Sequence, residues 1–203
     1  RIMQNSHQGD SVSDIIVVGA GASGMMAAGR AAEMGARTLL LEKTERPGKK
    51  MLISGKSRCN LSNIKELEDF IAMFGTNGRF LRQVFNHYFR EDLLDFFRKY
   101  GVETKTERGG RIFPLSDDAR DVVAALTQYL QESGVRIQYR VHVKEVLKEG
   151  GRITGVQTDQ GKLSAFAVIL AMGGATYPAT GSNGDGYRLA EAVKNKTNGQ
   201  VEI

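Results

Sequence analysis

One cysteine, three histidines, three prolines and no tryptophan stand among the 203 residues. The single Cys59 has no internal partner, which excludes a disulfide-stapled secreted scaffold and favours a reducing, cytoplasmic setting. His7, His87 and His142 are widely separated and, with one cysteine, form no zinc or haem spacing, so no metal is assigned. Charge of one sign is scarce as well. Lys and Arg number 28 against 23 Asp and Glu, a net charge of only +5. The uncharged stretch over residues 15–29 is broken by glycines and too short to span a bilayer. The polar residues 1–13 lack the apolar run of a signal peptide and read as a disordered or appended arm. These absences predict no membrane partner and no nucleic-acid partner.

What is present is a globular balance, 41% hydrophobic and 25% charged, with 24 glycines. Residues 14–19 are a β-branched run, the pattern of a strand buried on both faces of a parallel sheet. A glycine turn follows, then a helix over 22–34 stopped by Gly35, then a strand over 37–41 ending at Glu42. This is one βαβ unit. Residues 43–63 read as a long basic loop, and residues 66–100 as three short helices whose aromatics, Phe80 and Phe85 among them, fill a core. A further helix spans 118–132, with Val122, Leu126 and Leu130 on one face and Asp117 or Asp118 as N-cap. The period then changes to two. Strands over 141–147, 153–158 and 162–166, joined by glycine turns, predict a three-stranded antiparallel meander. A separate last strand over 167–171 leads into a second glycine region, 173–186, and a short helix over 187–193. The fold class predicted is α/β: a Rossmann-like domain over 14–193 with a parallel sheet, a β-meander crossover and a helical segment, followed by a polar tail over 194–203.

Gly19-Ala-Gly21-Ala22-Ser23-Gly24 fits G-x-G-x-x-G with a strand before it and a helix after it. Gly19 makes the turn, Gly21 admits a pyrophosphate to the backbone, and Gly24 lets the helix pack on the sheet, with Ala28 adding close packing. The helix start at Ala22 and Ser23 supplies free N–H groups and partial positive charge. Glu42, 23 residues beyond Gly19, stands where a carboxylate accepts the adenosine ribose hydroxyls and would repel a 2′-phosphate. FAD or NAD is therefore favoured over NADP at this site. The alternative is a plain tight turn with Glu42 as a surface charge. The meander separates the cofactors, because a nicotinamide dehydrogenase continues with further βα units.

The segments Lys43-Thr-Glu-Arg-Pro-Gly48-Lys-Lys50 and Ser54-Gly-Lys-Ser-Arg58-Cys59-Asn60-Leu-Ser-Asn63 resemble the signature of the YhiN/BaiN-type family of NAD(P)/FAD-dependent oxidoreductases. The likeness continues through residues 110–114, 171–178 and 181–187, in the expected order. It implies a flavoprotein with a glutathione-reductase-like FAD domain, in which the 43–63 loop wraps the pyrophosphate and ribityl region. Lys43, Arg46, Lys49, Lys50, Lys56 and Arg58, against Glu45, suit a diphosphate; a solvated basic loop is the plainer alternative. The cofactor-binding positions implied are Gly19, Gly21, Ala22, Ser23, Gly24 and Glu42, then Lys43, Lys50, Ser54, Arg58, Cys59 and Asn60, and finally Val143, Ala171, Gly173 and Gly174. Lys56 and Ser57 stand where the family commonly has glycines, and Met172 where it usually has threonine. Family members are roughly twice as long, with a substrate-side domain and a C-terminal glycine-rich segment, so this sequence corresponds to their N-terminal half.

The resemblance implies hydride transfer through flavin N5 to or from a small organic substrate, with NAD(P)H as a transient donor. No residue is assigned as acid or base. Cys59 beside Arg58 has the setting of a low-pKa thiol, but without a Cys-x-x-Cys partner a packing role is favoured. Asp185 reads as the cap of the last helix in preference to a ribityl ligand. Tyr177 and Tyr187 are expected to line the substrate side or to close the core, and His87 and His142 to be structural. A non-catalytic nucleotide-binding fragment and an NAD-dependent dehydrogenase are the competing functions.

Overall fold

The computed structural model describes residues 12–176 and 178–195. Most of the predicted arm, Tyr177, His7 and tail residues 196–203 lie outside the described residues. In chain order the elements are β1 (Ser13–Val18), α1 (Ala22–Glu33), β2 (Thr38–Glu42), α2 (Lys49–Ile53), β3 (Ser62–Asn63), α3 (Leu67–Ala72), α4 (Gly78–His87) and α5 (Arg90–Lys99). They continue with β4 (Thr104–Glu107), β5 (Arg111–Pro114), α6 (Ala119–Glu132), β6 (Arg136–Tyr139), β7 (Val143–Glu149), β8 (Arg152–Thr158), β9 (Gly161–Leu170) and α7 (Asp185–Asn195). The chain divides into two compact units, Arg1–Pro47 with Ser133–Ile203, and Gly48–Glu132.

The first unit is built on a six-stranded sheet of order β6-β2-β1-β9-β8-β7. β1 pairs in parallel with β2 and β9, and β2 in parallel with β6. Ile16, Val18, Leu39, Leu41, Val156 and Leu189 share one buried cluster, where a fully buried side chain of this kind contributes about 1.5–3 kcal/mol. α1 packs on β1 and β2 through small residues, and Gly24 and Ala28 are buried. It stops where Gly35 turns left-handed at φ +92° and its N–H donates to Ala32 O.

The expected meander is present, but its third strand and the separate last strand are one. β9 runs from Gly161 to Leu170, pairing antiparallel with β8 through Gly161–Ser164 and parallel with β1 through Ala165–Leu170. Nothing between Phe166 and Ala167 breaks an extended chain, so a single strand changes partner midway. β6 was not anticipated: its four residues alternate between exposed and half-buried, a weak pattern that becomes an edge strand by pairing with β2. α7 begins at Asp185, two residues earlier than expected.

The second unit holds α2–α6 and a three-stranded antiparallel sheet of order β3-β5-β4. The stretch read as a loop thus contains α2 and β3. Phe70, Phe85 and Phe89 meet edge-on or tilted, as do Phe96, Phe97, Tyr100 and Tyr129. Phe80, however, is 84% exposed, which corrects the expectation that the aromatics of these helices all fill a core, and Val84 beside it is 55% exposed. α4 turns Leu81 and Phe85 partly inward, and Phe80 and Val84, one position back on each turn, face away. α6 starts as predicted, its Asp118 Oδ1 accepting the Arg120 N–H at 2.8 Å, and Val122, Leu126 and Leu130 are buried. Among the described residues no helix is long and apolar enough to cross a membrane, and no His, Cys, Asp and Glu group could hold a metal ion.

Candidate nucleotide-binding site

β1 ends against its neighbours through Gly19 N–H to Leu41 O, 2.8 Å, and Ala171 N–H to Val18 O, 2.9 Å. Gly19 then turns at φ +104°, and a Cβ there would lie 2.7 Å from Ala171 O. A Cβ on Gly24 would lie 1.8 Å from Gly19 O, an overlap only glycine avoids. Gly21 differs from both: its φ is an ordinary −80°, and a Cβ there would meet nothing within 4 Å. Gly21 is the N-cap of α1, with no side-chain capping bond and no acidic residue in the first turn. The first helical bond, Met25 N–H to Gly21 O at 2.9 Å, leaves the amides of Ala22, Ser23 and Gly24 ahead of it at the positive end of the helix. The strand–turn–helix therefore brings together free amide donors, a partial positive charge and an open approach, a donor set that fits an anionic diphosphate.

Glu42 closes β2 beside this turn. Its Oε2 accepts the Ala20 N–H and its Oε1 the Thr44 N–H, each at 2.8 Å, which fixes the carboxylate while leaving lone pairs for further donors. Lys43 is not a free cation. Its Nζ donates to Asp185 Oδ2 at 2.9 Å and Asn183 Oδ1 at 3.1 Å. Burial pushes the Asp185 carboxyl pKa up, but hydrogen bonds from Lys43, Arg188 and Asn183 outweigh it and hold the value at about 2. His142 Nε2 lies 3.5 Å from the same carboxylate, and its Nδ1 lies 2.8 Å from Lys144 Nζ. Asp185 is therefore not the cap that was expected: Asn183 Oδ1 accepts the Asp185 N–H, and the Asp185 carboxylate is used for ion pairs. Ala171 abuts the glycine turn, its Cβ 3.3 Å from where a Gly24 Cβ would stand. Gly173 is left-handed at φ +71°, and Gly174 O accepts the Gly184 N–H at 3.3 Å. The Val143 side chain is buried in the core, so only its backbone is available to a ligand. Tyr187 is exposed and does not close the core.

Within the second unit, Lys50 lies on α2, and Ser54, Arg58, Cys59 and Asn60 lie on the segment that follows. Ser54 Oγ donates to Met51 O at 2.8 Å, and the Asn60 amide reaches Ile112 O at 3.1 Å and Ser62 O at 3.0 Å. Cys59 is buried, and burial pushes its thiol pKa up against a weaker hydrogen bond with Ser54. This corrects the possibility of a thiol activated by Arg58 and agrees with a packing role. Arg58 turns to carboxylates: Nη1 donates to Glu107 Oε1 at 2.7 Å and Asp117 Oδ1 at 3.2 Å, and its guanidinium lies 4.1 Å from the Phe113 ring centroid. Hydrogen bonds from Lys105 and then Arg58 lower the Asp117 pKa. Reasoning from sequence missed Glu107 and Asp117. The available signal was Gly109-Gly110 between the polar run Thr104–Glu107 and the largely apolar Arg111–Pro114, which is the β4–β5 hairpin, with both glycines at positive φ.

Residues 13–200 match the HI0933-like protein Rossmann domain. The chain belongs to this family. Its relatives include the 3-dehydro-bile acid delta(4,6)-reductase of Clostridium scindens, 38% identical over 179 residues that make up 87% of this chain and 43% of that protein. The ribosomal RNA dihydrouridine synthase of Escherichia coli is 29% identical over 180 residues, 88% of this chain and 44% of that protein. The chain thus spans less than half the length of both relatives. In structure it is similar to 3-ketosteroid-delta4-(5alpha)-dehydrogenase from Rhodococcus jostii RHA1, with a TM-score of 0.69 at 17% identity over 95% of this chain and 56% of the other. A flavocytochrome c3 fumarate reductase gives 0.69 at 20% identity, over 91% and 41%. At these identities the likeness shows the fold, a Rossmann-like α/β domain. In this HI0933-like chain the positions singled out from sequence divide by unit: the glycine turn, Glu42, Lys43, Val143, Ala171, Gly173 and Gly174 belong to the first, and Lys50 to Asn60 to the second.

Proposed function

We propose that this HI0933-like chain binds FAD and belongs to a flavin-dependent oxidoreductase. The observation that carries the reading is the open space at Gly21, the N-cap of α1, next to a turn anchored by the Glu42 carboxylate. Amide donors at a helix N-terminus suit the diphosphate, and a carboxylate with spare lone pairs suits the ribose diol. FAD is preferred to NAD because the β7–β8 meander feeds β9 alongside β1 where a dehydrogenase would add βα units. Val143 offers backbone groups; Ala171, Gly173 and Gly174 form the neighbouring turn, and Lys50, Ser54, Cys59 and Asn60 are assigned to the cofactor on the family resemblance.

When bound, FAD supplies hydride chemistry at its N5, with NAD(P)H as donor. The chain's own residues bind the diphosphate, orient the ribose and keep the turn closed beneath them. The substrate proposed for the whole protein is a carbon–carbon double bond in a ring that carries a carbonyl, a chemistry shared by the reactions that the two relatives' names describe. The higher identity, 38% against 29%, favours a small molecule over RNA. The test is titration of the purified chain with FAD and, separately, with NAD. Saturable FAD binding with a shifted visible spectrum is the expected result. Tight NAD binding with no FAD affinity overturns the reading.

A further inference from the structure

We propose that Arg58 is a positioning residue, holding the segment Gly55–Cys59 in its left-handed path, and not a ligand of the diphosphate. The inference rests on the FAD reading for its functional meaning, but its geometry lies wholly within the second unit. Gly55, Lys56, Ser57 and Cys59 have φ of 55°, 58°, 65° and 62°. Three of them carry side chains, for which this conformation is unfavourable. Such a path persists only where surrounding bonds over-determine it. Two backbone bonds contribute: Cys59 N–H to Ser54 O at 3.1 Å, and Ala119 N–H to Ser57 O at 3.0 Å.

Arg58 supplies the rest. Its Nε lies 3.4 Å from Gly55 O, across the left-handed run, while Nη1 reaches Glu107 on β4 and Asp117 beyond β5. Its plane rests on Phe113 of β5. Asp117 also accepts from Lys105, and it too has a positive φ, 58°. The four charges Arg58, Lys105, Glu107 and Asp117 sum to zero. A guanidinium whose charge is already neutralised and whose Nη1 is shared between two carboxylates has little attraction left for an anion, whereas its reach to Gly55 O and its seat on the Phe113 ring suit it to fixing a backbone. The Arg of this motif therefore acts through the segment's shape, and the open amides, not Arg58, meet the cofactor.

The two roles predict opposite signs for Glu107→Gln. We would titrate FAD into the parent chain, Arg58→Ala, Arg58→Lys, Glu107→Gln and the Arg58→Ala/Glu107→Gln double variant at several salt concentrations, with a thermal melt of each. Positioning predicts that Glu107→Gln and Arg58→Ala both weaken FAD at least about tenfold, that the double variant loses no more, and that Arg58→Lys fails to restore binding. The salt dependence in Arg58→Ala then stays that of the parent. A direct ligand role predicts the reverse: Glu107→Gln leaves binding unchanged or tighter, Arg58→Lys retains most of it, and Arg58→Ala flattens the salt dependence. Either of the first two results overturns the proposal. If the parent binds no FAD, the cofactor reading fails by itself. The positioning role is then decided by amide exchange over residues 54–60, which both Arg58→Ala and Glu107→Gln must accelerate; unchanged exchange overturns it.

Discussion

Gly19 in the turn after β1 and Lys56 in the segment after α2 both occupy the left-handed region, at φ +104° and +58°. At Gly19 the residue type itself solves the problem: a missing Cβ removes the contact with Ala171 O. At Lys56 and Ser57 the residue types oppose the backbone, and the path is imposed by partners from β4, β5 and the start of α6. The glycine turn is thus set by local sterics and leaves the first-turn amides of α1 open, while the segment after α2 is a tertiary device whose Arg58 charge is used up within the protein. Counting six cations after β2 overstated the field available to a ligand, because Lys43 and Arg58 are both paired.

Gly24→Ala should have the largest effect. A Cβ 1.8 Å from a backbone oxygen must push α1 off the sheet, with an expected loss of at least about 3 kcal/mol in urea unfolding. A variant that unfolds with the parent would break the contrast, because the turn would then not depend on glycine sterics.

Next comes Asp185→Asn, which removes the carboxylate shared by Lys43 and Arg188. Its folded pKa of about 2 lies below the ordinary 3.8, so its contribution is fully present above pH 4 and is lost as pH falls from about 4 to about 2. The expected size is about 2 kcal/mol at neutral pH. Unfolding free energy followed from pH 6 to pH 2 should fall more steeply for the parent than for the variant, and parallel curves would contradict the pairing.

The smallest effect has the opposite sign. Lys56→Gly and Ser57→Gly relieve left-handed strain at the cost of backbone entropy, for a net gain of up to about 1 kcal/mol each. Destabilisation measured in urea would mean that these side chains hold the segment, and the contrast with Gly19 would be weaker than drawn.

The same contrast explains what could be read in advance. The βαβ unit, the steric need for glycine at positions 19 and 24, the Gly35 stop, a cap at Asp117 or Asp118 and the apolar face of α6 were all legible, because each depends on residues a few positions apart. β6 and β4 were not, because a weakly alternating run and the wholly polar Thr104–Glu107 gain their strand identity from a neighbour: β2 for one, β5 for the other. Nor was the fusion of the last meander strand with the parallel strand, since a change of pairing partner leaves no mark in the residues at Phe166-Ala167. The partners of Lys43 and Arg58, 142 and 49 residues away, were beyond any local pattern.

The proposed seat of the cofactor diphosphate is the set of open amides beside Gly21. It is tested most directly by Gly21→Val, measured for both thermal stability and FAD affinity. Because a Cβ there meets nothing within 4 Å at an ordinary φ, the stability loss should be no more than the roughly 1 kcal/mol of a poorer N-cap, while FAD binding falls at least about a hundredfold. Parent-like FAD affinity in a variant of parent-like stability would contradict the account.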